Sequence, residues 1–193
     1  MKKKQLGACV TFFPQPTTLI ATQNGEGEVN LMLASWVGIV SKTPPTIAVS
    51  LNRDRHTYAN IKASGTFSVN VVPSRMAEAA DACGLASGKK VDKQKLTALQ
   101  VSPGTLEGVS LVDESPLNVE CRYVSEVELG DYRLVLGEIV EIHACEDAFN
   151  EEGKADVKVF DPLVYLGGMR EYWSLGEKEA NAYSAGLALL NKD

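Results

Sequence analysis

The chain has 193 residues, of which 45% are hydrophobic and 23% charged, proportions that are typical of globular proteins and not of disordered or low-complexity chains. Nineteen lysines and arginines against 25 aspartates and glutamates give a net charge of −6, which argues against nucleic acid as a partner because a phosphate backbone requires a concentrated basic surface. No apolar run approaches the roughly 20 residues needed to cross a bilayer. We therefore expect a single domain over residues 1–193, cytoplasmic and without a membrane partner.

The cysteines and histidines provide little material for metal binding or for histidine-dependent catalysis. Four cysteines lie far apart without a CxxC pair, and there are two histidines, His56 and His143. A chain of this length does not need disulfides to stabilise its core. We therefore predict buried or free thiols, no metal site and no catalytic side chain, with His143 in a structural or surface role.

Strand patterns occupy most of the first half of the chain. Apolar and β-branched runs predict strands at 18–22, 29–34, 37–40, 46–51 and 67–72. Asn24-Gly25 favours a hairpin turn after the first run, because both residues tolerate a positive φ. Pro44-Pro45 is predicted to lie in a loop, since proline cannot donate to a central ladder.

Short helices and two long strands are predicted for the rest. One helix is expected over 57–64 with Thr57 as its N-cap, and another begins at Ser74 and ends near Gly84. Residues 85–115 are expected to be irregular. Strands at 117–127 and 132–143 follow, and an amphipathic helix over 180–190 closes the chain. This pattern predicts a mainly β protein with short helices, a barrel or a sandwich, because alternating βαβ units are missing.

Two glycine-rich stretches do not match nucleotide-binding motifs. Gly25-Glu26-Gly27 lacks the third glycine of a dinucleotide fingerprint and precedes a predicted strand. The segment 84–90 is one residue short of a P-loop and ends in lysine where magnesium requires serine or threonine. Ser35 also lacks the glycines of a nucleophile elbow.

Residues 30–61 carry a pattern that suits a phosphate. Serine and threonine lie at predicted strand ends, and Arg53 and Arg55 precede a helix predicted to begin at Thr57. Arginine offers a bidentate fork, and a helix N-terminus offers oriented N–H groups and a favourable dipole. For this stretch alone, an exposed basic turn is the alternative.

Four segments in order carry a resemblance to a known family. They read N-x-M-x-x-S-W from Asn30, S-x-x-P-P-x-I-A-V-S-L from Ser41, R-x-T-Y-x-N-I from Arg55 and G-x-F-S-V-N-V from Gly65. This order resembles the flavin reductase-like, FMN-binding split-barrel family, and within it the flavoredoxin-type proteins. The resemblance resumes over 87–93 and weakly over 162–168. It implies a six-stranded antiparallel split barrel that forms a homodimer, with FMN bound near the interface.

The resemblance also implies a set of FMN-binding positions. Residues 32–36 would follow the isoalloxazine ring and 50–53 the ribityl chain and phosphate, with Thr57 donating to the phosphate. Lys93 would stabilise the reduced ring near N1 and O2, or act at the phosphate, or be structural. The implied positions are Asn30, Met32, Leu33, Ala34, Ser35, Trp36, Ser50, Leu51, Asn52, Arg53, Arg55, Thr57, Ser87, Gly88 and Lys93.

The implied function is that of an FMN flavoprotein oxidoreductase, which passes reducing equivalents from NAD(P)H through FMN to flavin or another acceptor. The alternative is a flavoredoxin-like electron-transfer protein that a redox partner protein reduces. A third possibility is a binding module that has lost FMN. The family's reductases often carry a G-D-H motif, whereas this chain has Gly167-Gly168-Met169. That departure weakens the expectation of direct NAD(P)H use.

Overall fold

The computed structural model describes residues 1–190 and consists mainly of β-strands with short helices. The strands are β1 (Gln15–Pro16), β2 (Thr18–Gln23), β3 (Val29–Ala34), β4 (Val37–Lys42), β5 (Pro45–Asn52), β6 (Thr66–Val71), β7 (Val101–Pro103), β8 (Ser110–Val112), β9 (Leu117–Leu129), β10 (Tyr132–Ala144), β11 (Val164–Leu166) and β12 (Glu171–Trp173). The helices are α1 (His56–Ser64), α2 (Ala77–Leu85), α3 (Lys93–Thr97), α4 (Val157–Phe160) and α5 (Leu187–Leu190), with 3₁₀ turns at Ser74–Met76 and Glu146–Ala148.

The main sheet curls into a barrel because its two edge strands are neighbours in sequence. Its seven strands lie in the order β3-β2-β6-β9-β10-β5-β4, and every pair is antiparallel. Only Ser35 and Trp36 separate β3 from β4, and a link of that length spans about 11 Å at most. The opposite edges of the sheet must therefore approach each other. Ser50 N–H donates to the Trp36 carbonyl at 2.9 Å, which extends the β4–β5 pairing up to this bend.

The mainly β, split-barrel class is confirmed, but the strand count differs from the six that the resemblance implied. The difference arises at Ser35-Trp36, where the chain bends and continues on the other edge of the sheet. Counting β3 and β4 as one bent strand restores six. The strand patterns at 18–22, 29–34, 37–40, 46–51 and 67–72 all form strands, and β3 has the predicted bounds.

Alternate residues of β2 and β3 belong to two different hydrophobic clusters. Ile20 and Met32 point into the barrel with Val49, Phe67 and Val135. Their neighbours Leu19, Ala21 and Leu31 pack on the outer face against α2, α3 and the β7–β8 hairpin, in a second cluster with residues such as Val72, Met76 and Leu99. Successive side chains of a strand point to opposite faces. Both faces of β2 and β3 are therefore buried, and packing on both sides fixes the end of β3 next to the bend at Ser35-Trp36.

The predicted helix starts were wrong by a few residues. The N-cap of α1 is Arg55, without a side-chain hydrogen bond, and Thr57 is buried in the first turn. The turn before α1 is organised instead by Asn52, whose side-chain oxygen accepts the Asp54 N–H at 2.8 Å. Ser74 starts a 3₁₀ turn and its hydroxyl donates to Asp161, so α2 begins only at Ala77.

Three further expectations require correction. Residues 85–115 contain α3 and the antiparallel β7–β8 pair, and Asp92 caps α3 by accepting the Lys95 N–H at 3.1 Å. Pro45 begins β5 instead of remaining in the loop, a position that its missing N–H tolerates. Of the predicted helix over 180–190, only Leu187–Leu190 is helical, because residues 180–186 are exposed and have no core to pack against.

The four cysteines are free thiols, with Cys83 and Cys121 buried and Cys9 and Cys145 exposed, as predicted. Within residues 1–190, no helix is both long and apolar enough to cross a membrane. The same residues contain no cluster of three or more metal-ligating side chains.

Candidate functional site

A cavity of about 330 Å³ opens where the barrel closes. Ser35 and Trp36 form one wall, and the end of β5 forms the next. Tyr132 pairs with Asn52 across the β10–β5 ladder and so reaches the same space. Tyr165 of β11 and Tyr172 of β12 lie on the remaining side. We call this space the aromatic cavity; it is lined by Met32, Leu33, Ala34, Ser35, Trp36, Ser50, Leu51, Asn52, Arg55, Tyr132, Tyr165 and Tyr172.

Aromatic pairs give the aromatic cavity two firm walls. The Trp36 and Tyr132 rings lie 5.3 Å apart at an interplanar angle of 39°, and the Tyr165 and Tyr172 rings lie 5.6 Å apart at 46°. Tyr172 donates to the Asp81 carboxylate at 2.8 Å, which ties β12 to α2. Burial and this carboxylate both raise the pKa of Tyr172, so the phenol stays protonated at neutral pH.

A small polar cavity adjoins the aromatic cavity at the start of α1. The two share Met32 and Arg55, so they form neighbouring compartments of one cleft. The small polar cavity has a volume of about 50 Å³ and is lined by Asn30, Met32, Asp54, Arg55, His56, Thr57, Ala86, Ser87, Gly88 and Lys93. Because α1 has nine residues and starts here, its first N–H groups and the positive end of its dipole favour an anion at this place.

Lys93 is a buried cation in the wall of the small polar cavity, with a side chain only 3% exposed. Its ammonium donates to the carbonyls of Leu31 and Cys83, each at 2.7 Å. An ammonium carries three hydrogens, so one donor remains beyond these two bonds. Burial lowers the pKa of Lys93, and the nearby Arg55 charge lowers it further while Cys83 opposes the change. An anion beside the ammonium would offset this electrostatic cost.

Asn30 and Gly88 lie against each other in the wall of the small polar cavity. The Asn30 side-chain amide donates to the Thr57 hydroxyl at 2.8 Å, which leaves the hydroxyl hydrogen of Thr57 free to point elsewhere. The buried Oδ1 of Asn30 has no hydrogen-bond partner within residues 1–190. A Cβ at position 88 would lie 2.0 Å from that oxygen, so only glycine fits there. A buried acceptor without a partner suits a ligand hydroxyl.

Nearly all of the predicted FMN-binding residues line this cleft. Arg53 does not: its guanidinium lies 3.4 Å from Asp131, with both side chains largely exposed, and it lines neither cavity. The cleft also contains His56, Tyr132 and Tyr165, which the sequence prediction missed. Tyr165 lies in the weakly matching segment 162–168, and His56 lies between matched residues. Tyr132 enters only through the β10–β5 register, which no local pattern gives.

The cleft thus suits an elongated ligand with three chemical parts. Paired aromatic rings suit a planar ring system, since offset and tilted stacking are favourable. Ser50 and Asn52 offer hydrogen bonds in the aromatic cavity, and the Asn30 oxygen offers one in the small polar cavity. Arg55, Thr57 and Lys93 concentrate donors and positive charge at the far end, where an anionic group would be held.

Known proteins share this architecture. The family profile described as a flavin reductase like domain matches residues 10–174. The flavoredoxin of Desulfovibrio vulgaris (Miyazaki F) is 32% identical with a TM-score of 0.91, and the comparison covers 96% of this chain and 100% of that one. The flavoredoxin of Methanosarcina acetivorans is 35% identical with a TM-score of 0.89, covering 98% and 100%.

Curated relatives match over most of the chain as well. A protein of Kitasatospora aureofaciens named flavin reductase (NADH) is 27% identical over 88% of this chain and 81% of its own length. An uncharacterized protein of Aeropyrum pernix is 31% identical over 79% of this chain, and the alignment spans 57% of that protein. The profile match over most of the chain and the similarity to both flavoredoxins lead to one conclusion: the chain belongs to the flavin reductase-like split-barrel family.

Proposed function

We propose that this protein is a single-domain FMN flavoprotein that passes reducing equivalents from NAD(P)H through FMN to flavin or another acceptor. One observation carries the proposal: a cavity walled by aromatic rings joins a small, cation-lined cavity at a helix N-terminus. The order of these compartments matches the order of ring, ribityl chain and phosphate in FMN. Membership of the flavin reductase-like family supports the same assignment.

At the phosphate end, three side chains would donate hydrogen bonds to the anion. Arg55 would offer its guanidinium, Thr57 its free hydroxyl hydrogen, and Lys93 the third hydrogen of its ammonium. Each charged hydrogen bond contributes about 1.5–3 kcal/mol. The unpaired Oδ1 of Asn30 would accept a ribityl hydroxyl, which would satisfy the one buried oxygen in this wall that has no partner within residues 1–190.

At the ring end, Trp36 and Tyr132 would pack against the isoalloxazine and exclude water, and the Ser35 hydroxyl would hydrogen-bond its polar edge. When bound, FMN supplies the redox chemistry, since its N5 accepts hydride or single electrons. The protein's contribution is to orient the ring and to set the polarity around it. No side chain has to move a proton for hydride transfer, and we assign none to that role.

A second candidate function is that of an electron-transfer protein reduced by a redox partner protein. Two observations favour it. The solved structures at 32% and 35% identity are flavoredoxins by name. The family's reductases often carry a G-D-H motif, whereas this chain has Gly167-Gly168-Met169 in the turn after β11, where Gly168 adopts a φ of +89°. The flavin reductase (NADH) relative supports the reductase instead.

An anaerobic visible spectrum tests both functions. The purified protein is mixed with FMN, separated from free FMN, and treated with NADH and then with NADPH. Prompt bleaching of bound flavin establishes the reductase and names its donor. Bound flavin that stays oxidised until dithionite is added establishes the carrier. Failure to retain any FMN contradicts both.

We further propose that two copies of the chain form a homodimer. Several exposed apolar side chains lie on the edge strand β4 and on β9 and β10, among them Ile39, Val40, Val127, Val140 and Ile142. Exposed apolar side chains on an edge strand suit contact with a second copy of the chain. Light scattering after size-exclusion chromatography should give twice the chain mass, and Ile39→Lys with Val40→Lys should reduce it to the monomer value.

A further inference from the structure

The two aromatic walls of the aromatic cavity differ in how they are attached to the protein. Trp36 and Tyr132, which we call the tryptophan wall, belong to the barrel itself. Tyr132 begins β10, which has 13 residues and pairs with both β5 and β9, and the Trp36 carbonyl accepts the Ser50 N–H at 2.9 Å. Because backbone bonds of the main sheet hold both residues, the tryptophan wall is the fixed side of the cavity.

Tyr165 and Tyr172, which we call the tyrosine wall, lie on a short hairpin outside the main sheet. They are direct cross-strand partners in β11 and β12, which have three residues each. β12 is an edge of its sheet, and the other neighbour of β11 is β1, which has two residues. Short elements with few backbone bonds open more readily than long central strands. The tyrosine wall is therefore the side of the cavity that can move.

A single side-chain hydrogen bond ties the tyrosine wall to the rest of the protein. Within residues 1–190, the bond from the Tyr172 hydroxyl to Asp81 at 2.8 Å is the only side-chain hydrogen bond that joins β11 or β12 to another element. Asp81 lies on α2, which is anchored by its buried residues Ala80 and Cys83. The carboxylate of Asp81 is half-buried and forms no ion pair in the described part of the chain. The hydrogen bond thus fastens a mobile hairpin to a well-packed helix.

The volume of the aromatic cavity limits how many rings it can hold. About 330 Å³ lies at the lower end of the ~300–1,000 Å³ range of small-molecule pockets, which suits one planar ring system between the two walls. A second planar ring stacked on the first adds the thickness of another ring. One wall must therefore move away, and the attachment of the tyrosine wall allows it to do so.

We propose that Asp81 is a positioning residue which, by binding the Tyr172 hydroxyl, holds the tyrosine wall in place and so controls the access of a second planar ring to the ring already bound. The second ring belongs to a planar aromatic electron acceptor of the quinone type, which stacks on the flavin to react. The proposal rests on the proposed FMN site, because the first ring is that of FMN. Asp81 lines neither the aromatic nor the small polar cavity and acts through Tyr172.

The test compares the wild type with five variants of the full chain. Asp81→Ala and Tyr172→Phe each remove the hydrogen bond, and a double variant combines them. Asp81→Asn keeps an acceptor oxygen, and Glu78→Ala removes an exposed carboxylate from the same helix as a matched control. Each protein is loaded with FMN and separated from free FMN. The first measurement is the fluorescence of the bound, oxidised FMN, which contact with aromatic rings quenches.

The second measurement is the anaerobic oxidation of the dithionite-reduced proteins, followed by stopped flow with two acceptors. Menadione is planar; it takes up two electrons and two protons from the reduced flavin and becomes its hydroquinone. Ferricyanide accepts electrons without stacking, so two ferricyanide ions take one electron each and the two protons pass to water. The ratio of the menadione rate constant to the ferricyanide rate constant reports the access of a planar ring.

We expect the loss of this one hydrogen bond to open the tyrosine wall. A hydrogen bond to a charged group shifts an equilibrium by about tenfold or more. Asp81→Ala and Tyr172→Phe should therefore have brighter bound FMN and a rate ratio about threefold to tenfold above the wild type. The double variant should match the single variants, because both substitutions remove the same bond. Asp81→Asn should restore the wild-type fluorescence and ratio, and Glu78→Ala should stay within about twofold of the wild type.

Two results obtained with bound FMN would overturn the proposal. If Asp81→Ala has the same fluorescence and rate ratio as Glu78→Ala, the tyrosine wall does not depend on Asp81. If the double variant shows the sum of two separate effects, Asp81 does not act through Tyr172. A wild type that retains no FMN contradicts the proposed function instead, and the proposal then loses its basis; this result is visible before any rate is measured.

Discussion

Lys93 and Glu120 are both charged side chains inside the protein, at 3% and 0% exposure, yet their surroundings differ in one respect. Glu120 accepts the N–H groups of Thr105 and Leu106 at 2.8 and 2.7 Å, the Thr105 hydroxyl at 3.0 Å, and His143 Nε2 at 2.6 Å. Lys93 donates to two carbonyls and keeps a third hydrogen for the cleft. The hydrogen bonds of Glu120 hold a loop, whereas Lys93 lies in the wall of the small polar cavity.

The pKa values follow the same contrast. Burial by itself would raise the pKa of Glu120, but the hydrogen bonds from Thr105, Leu106 and His143 outweigh it, and the pKa is lowered. For Lys93 burial prevails and lowers the pKa, because two carbonyls do not replace the water that the ammonium lost. A ligand anion would complete the environment of Lys93, while Glu120 requires nothing more.

The largest expected effect comes from removing Glu120 and with it the hydrogen bonds that its carboxylate accepts. Glu120→Ala leaves the loop at 104–106 without its acceptor and should lower the free energy of unfolding by about 3–5 kcal/mol. Urea unfolding monitored by circular dichroism measures it. Glu128→Ala, on an exposed side chain, is the control and should stay within about 0.5 kcal/mol. Equal losses in the free energy of unfolding in the two variants would show that the Glu120 hydrogen bonds do not stabilise the fold.

Removing the incompletely bonded charge should affect binding more than folding. Lys93→Met should weaken FMN about tenfold to a hundredfold, because a charged hydrogen bond is lost, while the free energy of unfolding falls by only about 1–2 kcal/mol. FMN fluorescence quenching and urea unfolding give the two values. Lys95→Met, an exposed neighbour that lines neither the aromatic nor the small polar cavity, should change neither. Unchanged FMN affinity in Lys93→Met would make this lysine structural.

The pH dependence should separate the two charges. Glu120 has a lower pKa folded than unfolded, so its stabilisation is present above about pH 4.3 and is lost as the pH falls through the folded value. The urea midpoint of the wild type should therefore fall more steeply below pH 5 than that of Glu120→Gln.

At alkaline pH the readout is FMN affinity. Lys93 is charged below its lowered pKa and neutral above it, so FMN affinity should fall before the pH reaches the ordinary lysine range. Lys93→Met should lack that component. A wild-type affinity that stays flat across this range would indicate that the ammonium does not touch the ligand.

The two neighbouring arginines give a smaller effect. Arg55 lines both compartments of the cleft, whereas Arg53 is engaged with Asp131 outside it. Arg55→Ala should weaken FMN about fivefold, since the side chain is exposed and its charge is screened, and Arg53→Ala should stay within about twofold. Titration of the two apoproteins with FMN compares them. The reverse order would restore Arg53 to the phosphate site.

The thiols should show the smallest functional effect. Hydrogen bonds from Thr11 lower the pKa of exposed Cys9, whereas burial raises the pKa of Cys83 and brings that of Cys121 to about 12. A disulfide reagent should modify Cys9 and Cys145 promptly and spare the buried pair. FMN bound to the Cys9→Ser, Cys145→Ser double variant should be reduced at the same rate as FMN bound to the wild type. A slower rate would implicate a thiol in electron transfer.

Local patterns in the sequence predicted the strands well and the helix starts less well. The run 29–34 alternates between two buried faces, and that periodicity is a property of the segment itself. Thr57 looked like a cap because threonine often is one, but Asn30, 27 residues earlier, binds its hydroxyl. The β7–β8 hairpin was missed because each of its strands has only three residues and β7 contains Pro103.

The sequence by itself determined the mainly β architecture, because strand patterns are short-range. Its resemblance to a known family implied most, but not all, of the residues between Asn30 and Lys93 that line the cleft. Only the tertiary structure decided that Tyr132 and Tyr165 complete the aromatic cavity, that Arg53 lies outside, and that Lys93 has one free donor. Those outcomes depend on strand register and on the closure of the barrel at Ser35-Trp36. Both are set by contacts between distant segments, which no local pattern encodes.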